Sequence, residues 1–351
     1  MNIISTLGPS ITKNSIMKQM VKAGCDGFRF TAAHTDLVQG ANQIEYLREN
    51  FGEQVNIILD IQGHKVRVSE LSKKNINLND GEEVGICSEK FYIANKGTTT
   101  IAKLIPIDIE FDFNLIKGID IFSSKDCSVS FNKTRDFEDE VILFKVKGRT
   151  ILRPRTGINI RELNRSDLGL TIKDKESILW GLQNGIDTLY VSYVVNSNNI
   201  KTIKKYIREL VKKNTNFKMP KIYSKIENME GVNNFIPILK ISDGIVLGRG
   251  DLHNEIKLSE YPVIQDNIIK RMKKSKKELV LATHILTSLA YKNKPSMPEI
   301  SDLYNFIKNK VDTIVLVTET SVGKNPRDSV KFARCFIDEV SNSLQTIKKE
   351  N

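Results

Sequence analysis

The sequence predicts an α/β fold, a (β/α)8 TIM barrel carrying an inserted small β-barrel lid domain. Three observations lead there. Eight short apolar runs alternate with helix-length segments whose apolar residues recur every three or four positions, the pattern of strands and crossover helices around a parallel sheet. That rhythm breaks once, between about Val68 and Arg155, where alternation and turn residues take over. Charged residues and all four histidines gather just after the apolar runs, where a barrel of this kind builds its site.

The predicted strands are Ile3–Ser5, Gly27–Thr31, Ile57–Asp60, Thr188–Ser192, Ile222–Glu227, Gly244–Leu247, Val280–Ala282 and Thr313–Val317. Helical spacing fills most gaps between them, for example Ser15–Ala23, Lys175–Asn184 and Ile300–Asn309, and Ser329–Leu344 reads as the last barrel helix. Inside the break, Asn79-Asp80-Gly81 is a turn signal, and Glu110–Phe113 and Glu140–Lys147 are further parts of the alternating, turn-rich pattern. The expected division is a barrel of residues 1–67 and 156–351 with a β domain of residues 68–155.

A chain of 351 residues, 40% of them hydrophobic, can bury a large core. It has no run of about 18 or more apolar residues, which predicts no membrane span. Met1-Asn2-Ile3-Ile4-Ser5 lacks the basic and apolar regions of a signal peptide. Cys25, Cys87, Cys127 and Cys335 show no CxxC spacing, which argues against zinc or a disulfide framework and for a reducing, cytoplasmic setting. Fifty-three basic residues against 42 acidic ones give +11, a balance that favours anionic ligands. The lysines spread over stretches such as Lys201–Lys213 and Lys273–Lys277 with little aromatic interleaving, which reads as solvated surface and not as a nucleic-acid groove.

The chemistry concentrates in Lys225-Ile226-Glu227-Asn228 and Gly248-Arg249-Gly250-Asp251. On a strand, the period of two puts Lys225 and Glu227 on one face. Asp251 adds a second carboxylate from a glycine-flanked turn. Two carboxylates can hold Mg²⁺, and a neighbouring lysine can neutralise a phosphoryl group in transfer. A salt-bridged strand end beside an ordinary turn is the plain alternative. The other strand ends weigh against it, because they bring Arg29 and His34, Asp60 with Lys65 and Arg67, Thr283 and His284, and Glu319 and Thr320 to the same face. His34, His64, His253 and His284 show no metal-binding spacing, so zinc is not expected.

These segments resemble the pyruvate kinase family. Ser5-Thr6-Leu7-Gly8-Pro9 is similar to that family's T-I-G-P turn, and Ala23-Gly24 through Arg29 to His34 to its A-G-M-N-x-x-R-x-N-x-S-H segment. Ile58-Leu59-Asp60 to Arg67 resembles L-D-T-K-G-P-E-I-R. Ser224 to Gly231 resembles S-K-I-E-N-x-E-G, and Ser242 to Leu252 resembles S-D-G-I-M-V-A-R-G-D-L. Ala282-Thr283, Glu319-Thr320, Gly323-Lys324 and Pro326 complete a likeness that covers nearly the whole chain and is weak inside the insertion.

The resemblance implies phosphoryl transfer between phosphoenolpyruvate and ADP, or another nucleoside diphosphate, giving pyruvate and ATP. It implies Lys225, Arg29 and Thr283 as catalytic residues, and Glu227 and Asp251 as ligands of Mg²⁺ or Mn²⁺. Gly248, Arg249, Gly250, Asp251 and Thr283 would bind substrate. Pro9, His34, Arg67 and Arg149 would face the nucleotide, and the inserted domain would close as a lid.

Four departures qualify it. Thr31-Ala32-Ala33-His34 and Asp60-Ile61 lack a hydroxyl that ligates a monovalent cation in potassium-dependent relatives, while Lys65 stands where potassium-independent ones carry lysine. Lys65 beside Asp60 is therefore expected to replace K⁺ with a fixed charge. Gln62 and His64 replace a lysine and a proline. The lid's acidic motif is not visible near Phe122-Ser123-Ser124-Lys125, and Met297 and Val317 replace residues typical of the interface and pocket. The C-terminal allosteric domain is expected to be absent and the protein unregulated. Two other functions are weighed, a phosphoenolpyruvate or oxo-acid enzyme with another acceptor or nucleotide-free enolate chemistry, and a non-catalytic scaffold. A homodimer through barrel helices is left open.

Overall fold

The computed structural model describes residues 1–33, 35–124 and 127–350, with side chains through residue 346. Eight parallel strands close a barrel: β1 (Asn2–Thr6), β2 (Gly27–Thr31), β3 (Asn56–Ile61), β4 (Thr188–Val191), β5 (Lys221–Ile226), β6 (Gly244–Gly248), β7 (Glu278–Ala282) and β8 (Thr313–Leu316). Each pairs with its sequence neighbours, and β8 returns to β1 with Ile3 opposite Ile314.

The strands read as continuous apolar runs because both faces are covered. Phe28, Phe30, Leu59, Leu189, Leu247 and Leu281 point outward into the main core beneath the helices. The alternate set fills the barrel itself, with Ile4, Ile58, Tyr190, Tyr223, Val246, Val280 and Val315 in a second core. The rings of Tyr190 and Tyr223 stack there at 5.7 Å. Two residues further along, the same inward parity gives Thr6, Asp60, Ser192, Lys225 and Gly248 on five of these strands, and Ala282 and Val317 on the other two. The barrel is thus apolar at its base and polar at its C-terminal mouth.

The segment between β3 and β4 folds as a separate, barrel-like sheet of seven strands. Their spatial order is Ile158–Asn159, Ile121–Ser124, Val129–Glu138, Val141–Lys147, Glu83–Ser88, Leu104–Asp108 and Arg67–Val68. A two-stranded pair, Thr150–Leu152 with Ile76–Leu78, lies beside it. Val84, Ile86, Phe122, Phe131 and Phe144 belong to a core of its own. Two parts differ from the β-only expectation, the short helix Asn114–Lys117 and a longer one. Glu89–Asn95 is a helix, capped by Ser88 Oγ accepting from the Phe91 amide at 3.0 Å, and it carries the chain between the parallel strands Glu83–Ser88 and Leu104–Asp108. A parallel pair requires such a crossover.

The insertion meets the barrel through polar contacts. Glu110 accepts hydrogen bonds from the Ile172 and Lys173 amides at 2.5 and 3.2 Å, at the start of the helix Ile172–Gln183. Lys173 pairs with Asp108, Arg155 donates to the Ala33 carbonyl at 3.1 Å, and Arg161 donates to the Asn254 carbonyl at 3.0 Å.

Candidate active site

Lys225 sits at the centre of the barrel mouth. Its Nζ lies 3.1 Å from Asp60 Oδ1, 2.8 Å from Ser192 Oγ and 2.9 Å from Glu227 Oε1. Burial works against the ammonium, but Asp60 and Glu227 outweigh it and hold its pKa above the ordinary value. It is therefore a fixed positive charge. Ser192 Oγ also donates to Asp60 Oδ1 at 3.1 Å, and Arg29 Nη1 lies 3.3 Å from Asp60 Oδ2. Arg29 Nε is buried with no partner in the protein, so a donor remains for an anion.

Glu227 accepts the Tyr193 amide at 2.9 Å. Burial raises its pKa, with Lys225 opposing and Asp251 reinforcing the shift. Gly248 leaves room for it, because a Cβ there would stand 2.6 Å from Glu227 Cγ. Asp251 follows from the short helix Arg249–Glu255 and is paired with Lys65. Burial opposes its charge, yet Lys65 and Lys225 pull its pKa down to about 2.

Glu227 and Asp251 line the same cavity. Among the described residues there is no cluster of three or more His, Cys, Asp and Glu able to hold a metal. Two carboxylates still fit Mg²⁺, which takes one or two protein oxygens and fills its octahedron from waters and substrate phosphate. The hard oxygen donors also suit Mn²⁺.

Thr283 completes the mouth from the end of β7. It and His284 both adopt left-handed backbone, with φ of 74° and 56°, a strained arrangement for a β-branched residue. Glu319 helps fix that loop, accepting the Leu286 and Val317 amides at 2.8 Å each. Gly250 packs below, where a Cβ would meet Thr283 Cγ2 at 3.0 Å. The cavity over these groups measures about 850 Å³ and reaches Pro9, Arg67 and Arg153.

The pyruvate kinase barrel domain matches residues 1–330. The chain belongs to the pyruvate kinase family. It is 28% identical to the pyruvate kinase of Aeropyrum pernix over 355 aligned residues, covering 99% of this chain and 72% of that one. The Thermococcus litoralis pyruvate kinase is 30% identical over 333 residues, 94% of this chain and 67% of its own. That of Thermotoga maritima is 29% identical over 348 residues, 98% of this chain and 71% of its own.

Of the pyruvate kinase positions read from the sequence, Arg29, Asp60, Lys65, Lys225, Glu227, Gly248, Asp251, Thr283, Pro9 and Arg67 all line the one cavity. Two do not. Arg249 was expected at the substrate, but its parity is opposite to that of Gly248. Its side chain turns outward to Asp302 at 2.6 Å and lies 5.0 Å over the Phe306 ring. Arg149 is exposed in the turn after Val141–Lys147, and Arg153 occupies the cavity wall instead. His34 lies outside the described residues.

Lys65 and Asp60 have different partners. Lys65 meets Asp251, while Asp60 is taken by Arg29, Lys225 and Ser192. His64 bonds the Gly169 carbonyl at 2.6 Å, and burial lowers its pKa. His253 packs against Tyr261 and His284 is exposed, and none of these three lines the cavity. Ser192 and Arg153 are cavity residues that sequence reasoning missed. Ser192 could have been found from strand parity, since it stands two residues after the inward Tyr190.

No helix among the described residues is long and apolar enough to cross a membrane.

Proposed function

We propose that this protein transfers the phosphoryl group of phosphoenolpyruvate to a nucleoside diphosphate such as ADP, giving pyruvate and ATP, in the cytoplasm and with Mg²⁺. The observation that carries the reading is Lys225, a buried ammonium held by Asp60, Ser192 and Glu227 beside Arg29. Phosphoryl transfer needs positive charge fixed in place before the charge moves, so that nothing has to reorganise.

Arg29 and Lys225 would bind the phosphoryl oxygens and stabilise them as the bond to the enol oxygen breaks. Glu227 and Asp251 would hold the divalent ion, which when bound supplies Lewis-acid charge to the substrate oxygens. The amides of Gly250 and Asp251 would receive the substrate carboxylate. Thr283, held in its strained conformation, would deliver a proton to the enolate carbon through its hydroxyl. The inserted sheet, residues 68–155 in the sequence reading, would serve as a lid that excludes water. Lys65 would supply the fixed charge that makes K⁺ unnecessary, so added K⁺ should leave the rate within about twofold.

A second reading keeps the donor half and changes the acceptor. Among the described residues no aromatic ring lines the cavity, so a nucleobase has no stacking platform there. One incubation separates the two: the protein with phosphoenolpyruvate, Mg²⁺ and ADP, followed by product analysis. Pyruvate with ATP supports the first reading, pyruvate only with another acceptor supports the second, and no turnover with either overturns both.

A further inference from the structure

Both carboxylates assigned to the divalent ion already carry an ammonium, and the two lysines are held differently. Lys225 contacts Glu227 at 2.9 Å and is anchored by Asp60 and Ser192 as well. Lys65 has Asp251 as its one ion-pair partner among the described residues. Lysine carries three donors on a flexible stem, and Lys65 lines the open cavity. Its stem rests on backbone, since a Cβ at Gly157 would stand 3.0 Å from Lys65 Cε. That segment joins the insertion to the barrel, bonded back through the Ile158 amide to the Val66 carbonyl at 2.9 Å.

The carboxylates of this group are matched by cations before any ligand enters: Asp60, Glu227 and Asp251 face Arg29, Lys65 and Lys225, and Arg67 lines the same cavity. A divalent cation arriving alone has to displace an ammonium and leaves an excess of positive charge in a half-buried site, where charge is costly. Phosphoenolpyruvate brings a phosphate and a carboxylate. Those anionic groups offset the excess and give Lys65 another partner within the cavity.

We propose that Lys65 is an internal occupant of the metal position, which keeps the free protein's affinity for the divalent ion low until an anionic substrate draws the lysine off Asp251. The inference rests on the reading of Glu227 and Asp251 as the metal carboxylates. It goes beyond a static replacement for K⁺, because it makes Lys65 a switch between two anions. Binding free energies are reciprocal, so the factor by which phosphoenolpyruvate tightens the metal is the factor by which the metal tightens phosphoenolpyruvate.

Mn²⁺ titration of the full chain, read by the electron paramagnetic resonance signal of the free ion, tests this without turnover. The wild type should bind Mn²⁺ at least about tenfold more tightly with phosphoenolpyruvate than alone. Lys65→Met keeps the stem and removes the charge. It should bind Mn²⁺ alone at least about tenfold more tightly than the wild type and lose most of the substrate-induced gain. Lys65→Gln should behave alike and covers a failure of the first variant to fold. If both variants bind Mn²⁺ alone no better than the wild type while Asp251→Asn loses binding, the inference is wrong and the metal reading stands. If Asp251→Asn binds Mn²⁺ as the wild type does, the ion is elsewhere and both fall.

Discussion

Lys225 is positioned by oxygens from three consecutive strand ends: Asp60 near the end of β3, Ser192 just after β4 and Glu227 just after β5. Removing the ammonium leaves those carboxylates facing one another and takes away charge needed in the transition state. Lys225→Ala should therefore lower phosphoenolpyruvate-dependent turnover by on the order of a thousandfold or more, and a steady-state rate near that of the wild type would sink the mechanism. Ser192 bonds both Lys225 and Asp60, which makes it a positioning residue for the ammonium. Ser192→Ala should cost on the order of tenfold in kcat with KM little changed, as expected for a group that aims another. A rise in KM alone would make it a binding residue. Lys225, Glu227 and Asp251 were legible because charged residues at strand ends stand out against apolar runs. Ser192 was not, because a serine there carries no charge and only the inward parity of Tyr190 and Ser192 marks it. Arg249 and Arg149 misled for the converse reason: a motif gives a residue's neighbourhood, while side-chain direction depends on parity and on packing against Asp302 and Phe306.

At the scale of elements, the helix Ile172–Gln183 shows burial working against a charge. Asp174 lies in its first turn, buried, accepting the Gly63 amide at 3.1 Å, while its own amide donates to Thr171 Oγ1 at 2.9 Å. Burial raises its pKa to about 6, although the Gly63 and Thr171 hydrogen bonds oppose the shift. An unfolded Asp titrates near ~3.9. Between those values the native protein binds more protons than the unfolded chain, so this group's contribution falls as pH rises from about 4 to about 6 and the cost is fully present above. Asp174→Asn keeps an acceptor and removes the charge. Its stability relative to the wild type should improve by roughly 2–3 kcal/mol between pH 4 and pH 7.5, read from urea unfolding at both values. A gap that stays constant or narrows would show that Asp174 titrates normally. The barrel strands were readable to within a residue or two because their apolar runs are short and bounded. The helix Glu89–Asn95 was passed over within an alternating stretch, although Ser88 before Glu89 is a helix-start signal.

For the whole molecule, the decisive fact is that the apolar cores of the barrel and of the insertion are separate and are joined mainly by polar contacts. The barrel cores and the core of the inserted sheet share no residues. The contacts between the two parts are mainly hydrogen bonds and ion pairs, Glu110 on the Ile172 and Lys173 amides, Lys173 with Asp108, Arg155 on Ala33 and Arg161 on Asn254, with the rings of His64 and Phe111 6.4 Å apart beside them. Interfaces of that kind permit relative motion by default. The composition could not reveal this, because Glu110 and Lys173 lie 63 residues apart and read as ordinary surface charges. Glu110 is the strongest single tie, since it places a carboxylate on the exposed amides at a helix N-terminus, where the peptide dipoles favour it. Glu110→Ala should leave both cores folded and free the insertion to move. Hydrogen exchange should speed up in the connecting strands Arg67–Val68 and Ile158–Asn159, while β5 and β6 keep their protection. If the insertion is the lid, kcat should fall with it, because closure would be populated less often. Unchanged exchange in the connecting strands would mean that the remaining contacts fix the insertion without Glu110, and faster exchange throughout β5 and β6 would mean that Glu110 supports the barrel itself.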